Sequence, residues 1–310
     1  ESAGSFAVSA LMASPLSKEF VHAAIGESGA FFGKTLGATR LAESQKRDAV
    51  FAEQMGMRSL KELRAVDAQR LLDAVLKNKE ESRFSANIDG YFMPADAYEI
   101  YSKGRQAHIP LLAGWNRDEG NYHGFFGDQP VNKENYAAKM RTRFGESVVE
   151  AMKLFPGDSE TEIKSSAGFL AGADFISYGT WKWIEAHLKT GVPVFRYEFD
   201  QAPPGGDGND GDRVGVFAYH SAEIEFVFGM LDSKQGMTWR PEDYKVSEVM
   251  QTYWTNFAKT GNPNGAGVPE WPQYEKKGFQ VMHLGAHPQA AADKHRAQFE
   301  FLDKTSTKAN

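Results

Sequence analysis

The chain has 310 residues, 41% of them hydrophobic and 25% charged, which is usual for a globular protein of one large domain or two ordinary ones. Its net charge of −6 argues against nucleic acid as the main partner, because phosphate binding needs clustered Lys and Arg. No cysteine is present, so disulfides, thiolate metal sites and cysteine nucleophiles are excluded, and no apolar run approaches the roughly 20 residues that span a bilayer.

The predicted elements alternate between helices and short apolar strands. In chain order the pattern predicts a helix at 5–14, a strand at 21–26, helices within 39–78, a strand at 109–114, helices within 133–154 and 168–188, a strand at 192–199, a loop at 201–215, a helix at 243–260 and a strand at 279–284. This alternation predicts an α/β fold with a mostly parallel sheet. In such sheets the chemistry lies on loops outside the carboxyl ends of the strands.

Two serines lie in sequences that resemble a nucleophile elbow, a tight turn that needs small flanking residues and a helix directly after the serine. Ser2, in ESAGS, has Gly4 two residues later and a predicted helix behind it. Ser28, in GESGA, follows a predicted strand and has Gly26 and Ala30 around it, but the glycine-rich stretch after it is a poor helix start. Local chemistry favours Ser2, and an ordinary turn serine is the alternative for both.

A pair of carboxylates directly follows the apolar run IPLLAGW. Asp118 and Glu119 lie there, and Gly120 allows a sharp turn after them. A carboxylate held at this point can orient a histidine and stabilise its imidazolium form. The alternative is a solvated acidic loop or a helix N-cap.

Eight histidines are candidates for a general base. His220 differs from the others because it follows a long Gly/Asp-rich loop and precedes the acidic-apolar segment SAEIEFVFG. The chain order serine, acid, histidine also favours His220. The remaining histidines are expected to be structural, in a strand, in a polar tail (His287 and His295) or, for His123, at the edge of a pocket.

The oxygen-rich stretch DGNDGD at 207–212 is the one sequence that suggests a metal loop. An EF-hand counted from Asp207 would have Gly211 at its fifth position and Ala218 in place of the bidentate glutamate, so the pattern fails. We predict no metal and no cofactor.

The three candidates stand in motifs of a known family. Ser2 in ESAGS, Glu119 in GWNRDEGNY and His220 in YHSAEIEFVFG resemble the type-B carboxylesterases, the cholinesterase-like branch of the α/β-hydrolase fold. Further matching segments are AIGESGA (24–30), NIDGYFMP (87–94), YWTNFAKTGNPNG (253–265) and WPQY (271–274). The family carries its nucleophile in Gly-Glu-Ser-Ala-Gly, so the resemblance selects Ser2 over Ser28.

The resemblance implies that residues 1–310 form the carboxyl-terminal part of one α/β-hydrolase domain, with a mostly parallel central sheet, helices on both faces and helical cap or outer segments at about 39–80 and 133–190. The chain starts one residue late in the nucleophile motif, and no segment matches the Gly-Gly pair that supplies most of the family's oxyanion hole. We therefore expect a missing amino-terminal segment of the same enzyme as a partner, and expect 1–310 alone not to be a functional unit.

The resemblance also implies a mechanism for a small-molecule ester substrate. Ser2 would attack the carbonyl, His220 would take its proton, Glu119 would hold His220 in the right tautomer, and the Ala3 N–H would stabilise the oxyanion. Four further residues would support or line the site: Glu1 through negative potential, Ser28 beside the triad, and Tyr122 and His123 along the substrate gorge.

Two alternative functions stay open. One is a non-catalytic cholinesterase-like adhesion or scaffold protein, and the other is an α/β-hydrolase that cleaves amides or carbonates. The compartment is also open between secreted, periplasmic and cytoplasmic. The lack of cysteine departs from the disulfide-bonded secreted animal members and favours a microbial source.

Overall fold

A five-stranded sheet forms the centre of the protein in a computed structural model that describes residues 1–33, 36–78, 84–204 and 217–306. The strands are β1 (Ala24–Glu27), β2 (Thr39–Arg40), β3 (Asn87–Ile88), β4 (Leu111–Asn116), β5 (Val194–Phe199), β6 (Gln280–Leu284) and β7 (Gln289–Ala292). The main sheet has the order β1-β4-β5-β6-β7, in which only β7 is antiparallel to its neighbour, while β2 and β3 form a separate parallel pair. The predicted α/β architecture with a mostly parallel sheet is confirmed.

Helices follow the strands along the chain. They are α1 (Ala3–Ala13), α2 (Leu41–Gln54), α3 (Leu60–Arg64), α4 (Ala68–Lys77), α5 (Ala97–Ser102), α6 (Tyr122–Phe126), α7 (Lys133–Phe144), α8 (Val148–Leu154), α9 (Glu160–Gly172), α10 (Tyr178–His187), α11 (Ile224–Val227), α12 (Pro241–Thr260) and α13 (Arg296–Ser306). A π-helical stretch at Ala173–Ser177 joins α9 to α10. No described helix has the length and apolar composition needed to cross a membrane.

The sheet is covered on both faces, which explains why its central strands are buried throughout. Every residue of β4 and of β5 is buried. Leu111 and Ala113 belong to a core cluster with α1, α10 and α13, whereas Leu112 belongs to a second cluster with α11 and α12. Successive side chains of a strand point to opposite faces, so continuous apolar runs result where both faces are covered.

Two glycines bring α1 and α10 unusually close to β1. A Cβ on Gly26 would lie 2.3 Å from Trp183 of α10 and 2.8 Å from the Ser5 hydroxyl of α1. A Cβ on Gly29 would lie 2.5 Å from the Ser2 carbonyl oxygen. Any side chain at these positions would push the start of α1 away from the sheet, so the two glycines fix where Ser2 lies.

The predicted elements occur with shifted ends, and one prediction is wrong. The helix expected at 168–188 begins earlier, at Glu160, where Ser159 and Glu162 form a capping box. The segment around His287 and His295 is not a polar tail. Gln289–Ala292 forms β7, and Phe299 of α13 packs against Trp115 and Trp181. The predictions for 205–215, including the stretch at 207–212, lie outside the described residues.

The two segments predicted as cap or outer helices differ in burial. Helices α3 and α4, in the first segment, bury no residue, whereas α10, at the end of the second, is largely buried and packs on β4 and β5. Their role as a cap stays a prediction.

Candidate active site

Three side chains from distant parts of the sequence form one hydrogen-bonded chain. The Nδ1 atom of His220 lies 2.7 Å from Oε2 of Glu119, and its Nε2 lies 3.0 Å from the Ser2 hydroxyl oxygen. A carboxylate can only accept, so Nδ1–H donates to Glu119, and Nε2 is left to accept the hydroxyl proton of Ser2. The structure thus brings together the three residues that were predicted as nucleophile, base and acid.

Ser2 lies on a strained turn directly before α1, beside the carboxyl end of β1. Its backbone has φ 45° and ψ −117°, a region that a residue with a Cβ rarely adopts. Its N–H donates to the Glu27 carbonyl at 2.8 Å, and the Gly4 N–H donates to the Glu1 carbonyl at 2.8 Å. The first bond connects the turn to the carboxyl end of β1, and together the two bonds hold the strained conformation. Backbone strain of this kind is common where a side chain must be presented for chemistry.

The Ala3 N–H is placed to act as an oxyanion donor. Ala3 is the first residue of the 11-residue helix α1, and its N–H has no acceptor among the described residues. The partial positive charge of a helix amino terminus favours a developing oxyanion beside Ser2. The oxyanion role of Ala3 stays a prediction.

Glu119 is held from both sides and is almost completely buried. Its Oε1 accepts hydrogen bonds from the Ser28 hydroxyl and, at 2.8 Å, from the Asn116 N–H, while Oε2 faces His220. Its side chain is 2% exposed. Because the Ser28 hydroxyl is committed to Glu119, Ser28 supports the acid and is not placed to attack a substrate.

Asp118, the other acid of the pair, anchors the segment before His220. Its N–H donates to the Ala218 carbonyl at 3.0 Å, and its Oδ2 accepts from the Ala218 N–H and from Arg117 Nε, each at 2.9 Å. The Asn116 amide also donates to the Tyr219 carbonyl at 2.7 Å. Asp118 and Asn116 therefore fix the backbone that carries His220, whereas Glu119 contacts the His220 ring.

The environment of the His220 ring favours its protonated form. Burial of the ring opposes the charge, but the hydrogen bond and charge of Glu119, together with the charge of Glu1, outweigh it and raise the pKa of His220 above its ordinary value. Phe175 packs against the ring edge-on, with the ring centroids 4.9 Å apart. The imidazolium form of His220 is therefore stabilised, which suits its predicted role as a general base.

Glu1 lies beside the ring nitrogen of His220 that faces Ser2. Its Oε1 is 3.3 Å from His220 Nε2 and accepts a hydrogen bond from the Ser221 hydroxyl at 2.7 Å. Ser221 has φ 68°, so this hydroxyl is presented from a left-handed backbone. The carboxylate of Glu1 is therefore close to Nε2 of His220, and its effect on catalysis through negative potential stays a prediction.

Comparison with known proteins identifies the family. A profile described as "Carboxylesterase family" matches residues 1–302. The chain belongs to the carboxylesterase family. The para-nitrobenzyl esterase of Bacillus subtilis (strain 168) is 31% identical over 298 residues, which cover 92% of this chain and 57% of that protein. Liver carboxylesterase 1F of Rattus norvegicus is 29% identical over 318 residues, covering 93% and 56%.

Solved structures show the same fold. A PNB esterase structure aligns with a TM-score of 0.74 at 28% identity, over 97% of this chain and 61% of that one. A carboxylesterase from Geobacillus stearothermophilus aligns with a TM-score of 0.75 at 23% identity, over 97% and 62%. The α/β-hydrolase fold and the type-B carboxylesterase family, both predicted from the sequence, are confirmed. The chain spans a little over half the length of the carboxylesterases it matches in sequence.

Tyr122 and His123 begin α6, just after the loop of Glu119. Gly120 makes this loop possible, because a Cβ there would lie 2.2 Å from the backbone nitrogen of Gly172 in α9. The rings of Tyr122 and His123 contact each other in a tilted arrangement, with centroids 4.1 Å apart and an angle of 37° between the ring planes. Their place along a substrate gorge stays a prediction, although the next residues of α6 do line a large groove.

Two buried glutamates behind the triad were missed in the sequence. Glu223 accepts a hydrogen bond from the Asn116 amide, and Glu27 accepts one from Trp254 Nε1 at 2.8 Å. Burial raises the pKa of Glu27, and burial together with the charges of Glu27 and Glu119 raises the pKa of Glu223 well above its ordinary value. The only signal in the sequence is that each lies in a segment that resembles the family, AIGESGA for Glu27 and YHSAEIEFVFG for Glu223.

A cluster at the ends of β5 and β6 has the composition of a metal site. Glu198, Asp200 and His283 each place one possible ligand atom within 4.8 Å of the others. However, His283 Nδ1 bonds Asp200 at 2.7 Å and Lys294 Nζ pairs with Glu198 at 3.1 Å. The side chains thus satisfy one another, and we assign no metal or cofactor to them.

Replacing Glu1 with glutamine tests its effect on His220. We expect ester hydrolysis by the full-length protein to rise with pH as His220 loses its proton, because only the neutral ring accepts from Ser2. Glu1 helps to raise the pKa of His220, so in Glu1→Gln the acidic limb of the kcat/KM profile should move to lower pH. Glu19→Gln, which removes an exposed carboxylate on a different part of the chain, is the control and should leave the limb in place. A limb that stays in place or moves to higher pH in Glu1→Gln would contradict this role.

Proposed function

We propose that this chain carries the catalytic triad of a serine hydrolase that cleaves small carboxylic esters through an acyl-enzyme intermediate. The observation that supports it most strongly is the continuous hydrogen-bonded chain from the Ser2 hydroxyl through the His220 ring to Glu119. The membership of the carboxylesterase family supports the same chemistry.

Acylation begins when Ser2 Oγ attacks the ester carbonyl and His220 Nε2 takes its proton. The resulting imidazolium is stabilised by Glu119 at Nδ1 and by the negative charge of Glu1 beside Nε2. The oxyanion of the tetrahedral intermediate accepts from the Ala3 N–H, and further donors from an amino-terminal segment of the same enzyme stay a prediction. His220 then gives the proton to the leaving alcohol, and the acyl group stays on Ser2.

Deacylation repeats these steps with water. His220 Nε2 takes a proton from a water molecule, which attacks the acyl carbonyl, and the proton returns to Ser2 as the acid leaves. The rigid support of Glu119 by Ser28 and Asn116 keeps the ring in one orientation through both halves of the cycle.

A substrate panel on the full-length protein tests this proposal. We expect hydrolysis of 4-nitrophenyl esters with a pre-steady-state burst of nitrophenol, because the acyl-enzyme accumulates when deacylation is the slower step. The burst should be absent from His220→Ala. The same panel should include the matching 4-nitroanilides and carbonates, because faster cleavage of either would favour amides or carbonates as substrates. The absence of any turnover would favour the adhesion or scaffold alternative.

A further inference from the structure

A groove of about 750 Å³ opens beside the triad. Its walls are α6, α7, the end of α9 and the π-helical stretch that follows α9, and its lining includes Phe125, Ala138, Lys139, Arg143, Asp174 and Phe175. Its size is that of a binding site for a small organic molecule. None of its charged residues takes part in the catalytic steps described above.

Phe175 connects the groove to the site of reaction. It lines the groove, and its ring also packs edge-on against the ring of His220 at a centroid distance of 4.9 Å. An ester whose carbonyl lies at Ser2 and whose chain passes over Phe175 therefore enters the groove. Phe125 and Ala138 add apolar side chains to the lining of the same groove.

The charges in the groove do not cancel. Arg143 and Asp174 neutralise each other through a forked ion pair, in which Nη2 donates to Oδ1 at 2.7 Å and Nη1 donates to Oδ2. Lys139 lies one helical turn before Arg143 on α7, with its Nζ 5.8 Å from the centre of the Phe125 ring. Among the residues that the structure describes, no carboxylate forms an ion pair with Lys139. The lining therefore has a net positive charge, which comes from Lys139.

We propose that this groove binds the far end of the ester substrate and that Lys139 selects esters that end in a carboxylate. This inference rests on the proposed ester hydrolysis and adds a substrate class to it, namely monoesters of dicarboxylic acids or esters of comparable ω-carboxylated alcohols. An apolar chain suits Phe175, Phe125 and Ala138, and a terminal carboxylate suits the ammonium group of Lys139, which lines the same groove near the Phe125 ring. The spacer between the ester carbonyl and the terminal carboxylate must pass Phe175 and extend along α7. One helical turn is about 5.4 Å long, so we expect this spacer to contain several methylene groups.

Binding to an inactive protein tests the groove without turnover. In a Ser2→Ala background, the affinity of intact 4-nitrophenyl monoesters with a terminal carboxylate is compared by titration calorimetry with that of the carboxamide-ended counterparts, over a series of spacer lengths. At the best length we expect the carboxylate to bind about tenfold more tightly, as one charge-assisted contact provides. Lys139→Gln should abolish the difference by weakening the binding of the carboxylate ester more than that of the carboxamide ester.

Two further variants separate a specific contact from a general charge effect. Lys133→Gln removes an exposed positive charge from the start of the same helix outside the groove lining, and should keep the tenfold difference. Asp174→Asn frees Arg143 from its counterion and should increase the preference for the carboxylate. Equal affinity for both esters at every spacer length, or an equal loss in Lys133→Gln and Lys139→Gln, would overturn the inference.

Turnover by the unmodified protein distinguishes this inference from the proposed function. If both esters are cleaved with equal kcat/KM, ester hydrolysis stands and the selection by Lys139 fails. If neither is cleaved while the carboxylate ester still binds in a Lys139-dependent way, the groove stands as a binding site and the proposed hydrolysis fails.

Discussion

The Ser2→Ala variant of the full-length protein should hydrolyse a 4-nitrophenyl ester roughly 10⁴-fold more slowly or worse than the unmodified protein. The reason is that Ser2 Oγ lies 3.0 Å from His220 Nε2, and alanine removes the atom that forms the acyl bond. Steady-state release of nitrophenol measures the effect, and circular dichroism shows whether the variant is folded.

Ser28→Ala is the matched control, because it removes the other serine that the sequence offers. It deletes one hydrogen bond to Glu119 and leaves the Asn116 N–H as a second donor to the same oxygen. We therefore expect a much smaller loss than in Ser2→Ala. Near-normal turnover in Ser2→Ala, or a loss confined to Ser28→Ala, would show that the nucleophile is misassigned.

Glu119→Gln should lower turnover by about 10³–10⁴-fold, although the side chain keeps its size. Both oxygens of Glu119 accept hydrogen bonds, Oε2 from His220 and Oε1 from Ser28 and Asn116. A glutamine has one oxygen and one NH₂ group. At least one of the three groups that donate to Glu119 would therefore face the NH₂ group, which is itself a donor. The variant also removes the charge that stabilises the imidazolium form of His220.

Asp118→Asn provides the comparison for this prediction. Asp118 bonds Ala218 and Arg117 and does not contact the imidazole, so its replacement should affect turnover less than Glu119→Gln. The two kcat values, measured with the same ester, decide between the acids. A larger loss in Asp118→Asn would show that the orienting acid is the other member of the pair.

The central strands and the three candidate residues could be predicted because their signals are local. Strand β4 is covered on both faces and therefore begins with a continuous apolar run in the sequence, whereas β5, also buried, includes Arg196 and Glu198. Glu119 follows β4 directly, at the edge of the sheet where chemistry is expected. The family motifs around Ser2, Glu119 and His220 then supplied what composition and periodicity could not.

Local sequence alone could not decide whether Ser2 or Ser28 is the nucleophile. Both serines have a positive φ, 45° and 53°, and both lie near small residues. They differ in their long-range partners, since Ser2 faces His220, 218 positions away, and Ser28 faces Glu119, 91 positions away. The crowding expected at Gly4 is also not found, because no described atom lies within 4 Å of a Cβ built there.

The support behind the triad depends on burial, which the sequence does not reveal. Asn116 donates through its side chain to Glu223 and to the Tyr219 carbonyl, more than 100 positions away. Glu27 and Glu223 have raised pKa values because they are buried, whereas most glutamates in a sequence are exposed. Helix α13 was missed for the same reason, since Phe299 and Phe301 are ordered by packing on distant aromatic rings.

Peptide mapping by mass spectrometry after reaction with a fluorophosphonate tests most directly whether Ser2 is the nucleophile. An activated serine attacks the phosphorus and displaces fluoride, which leaves a stable covalent adduct on the hydroxyl oxygen. We expect the adduct on the peptide that contains Ser2, with none on that peptide in Ser2→Ala and much slower labelling in His220→Ala. An adduct on Ser28, or no serine adduct in a protein that still hydrolyses esters, would contradict the Ser2–His220–Glu119 mechanism.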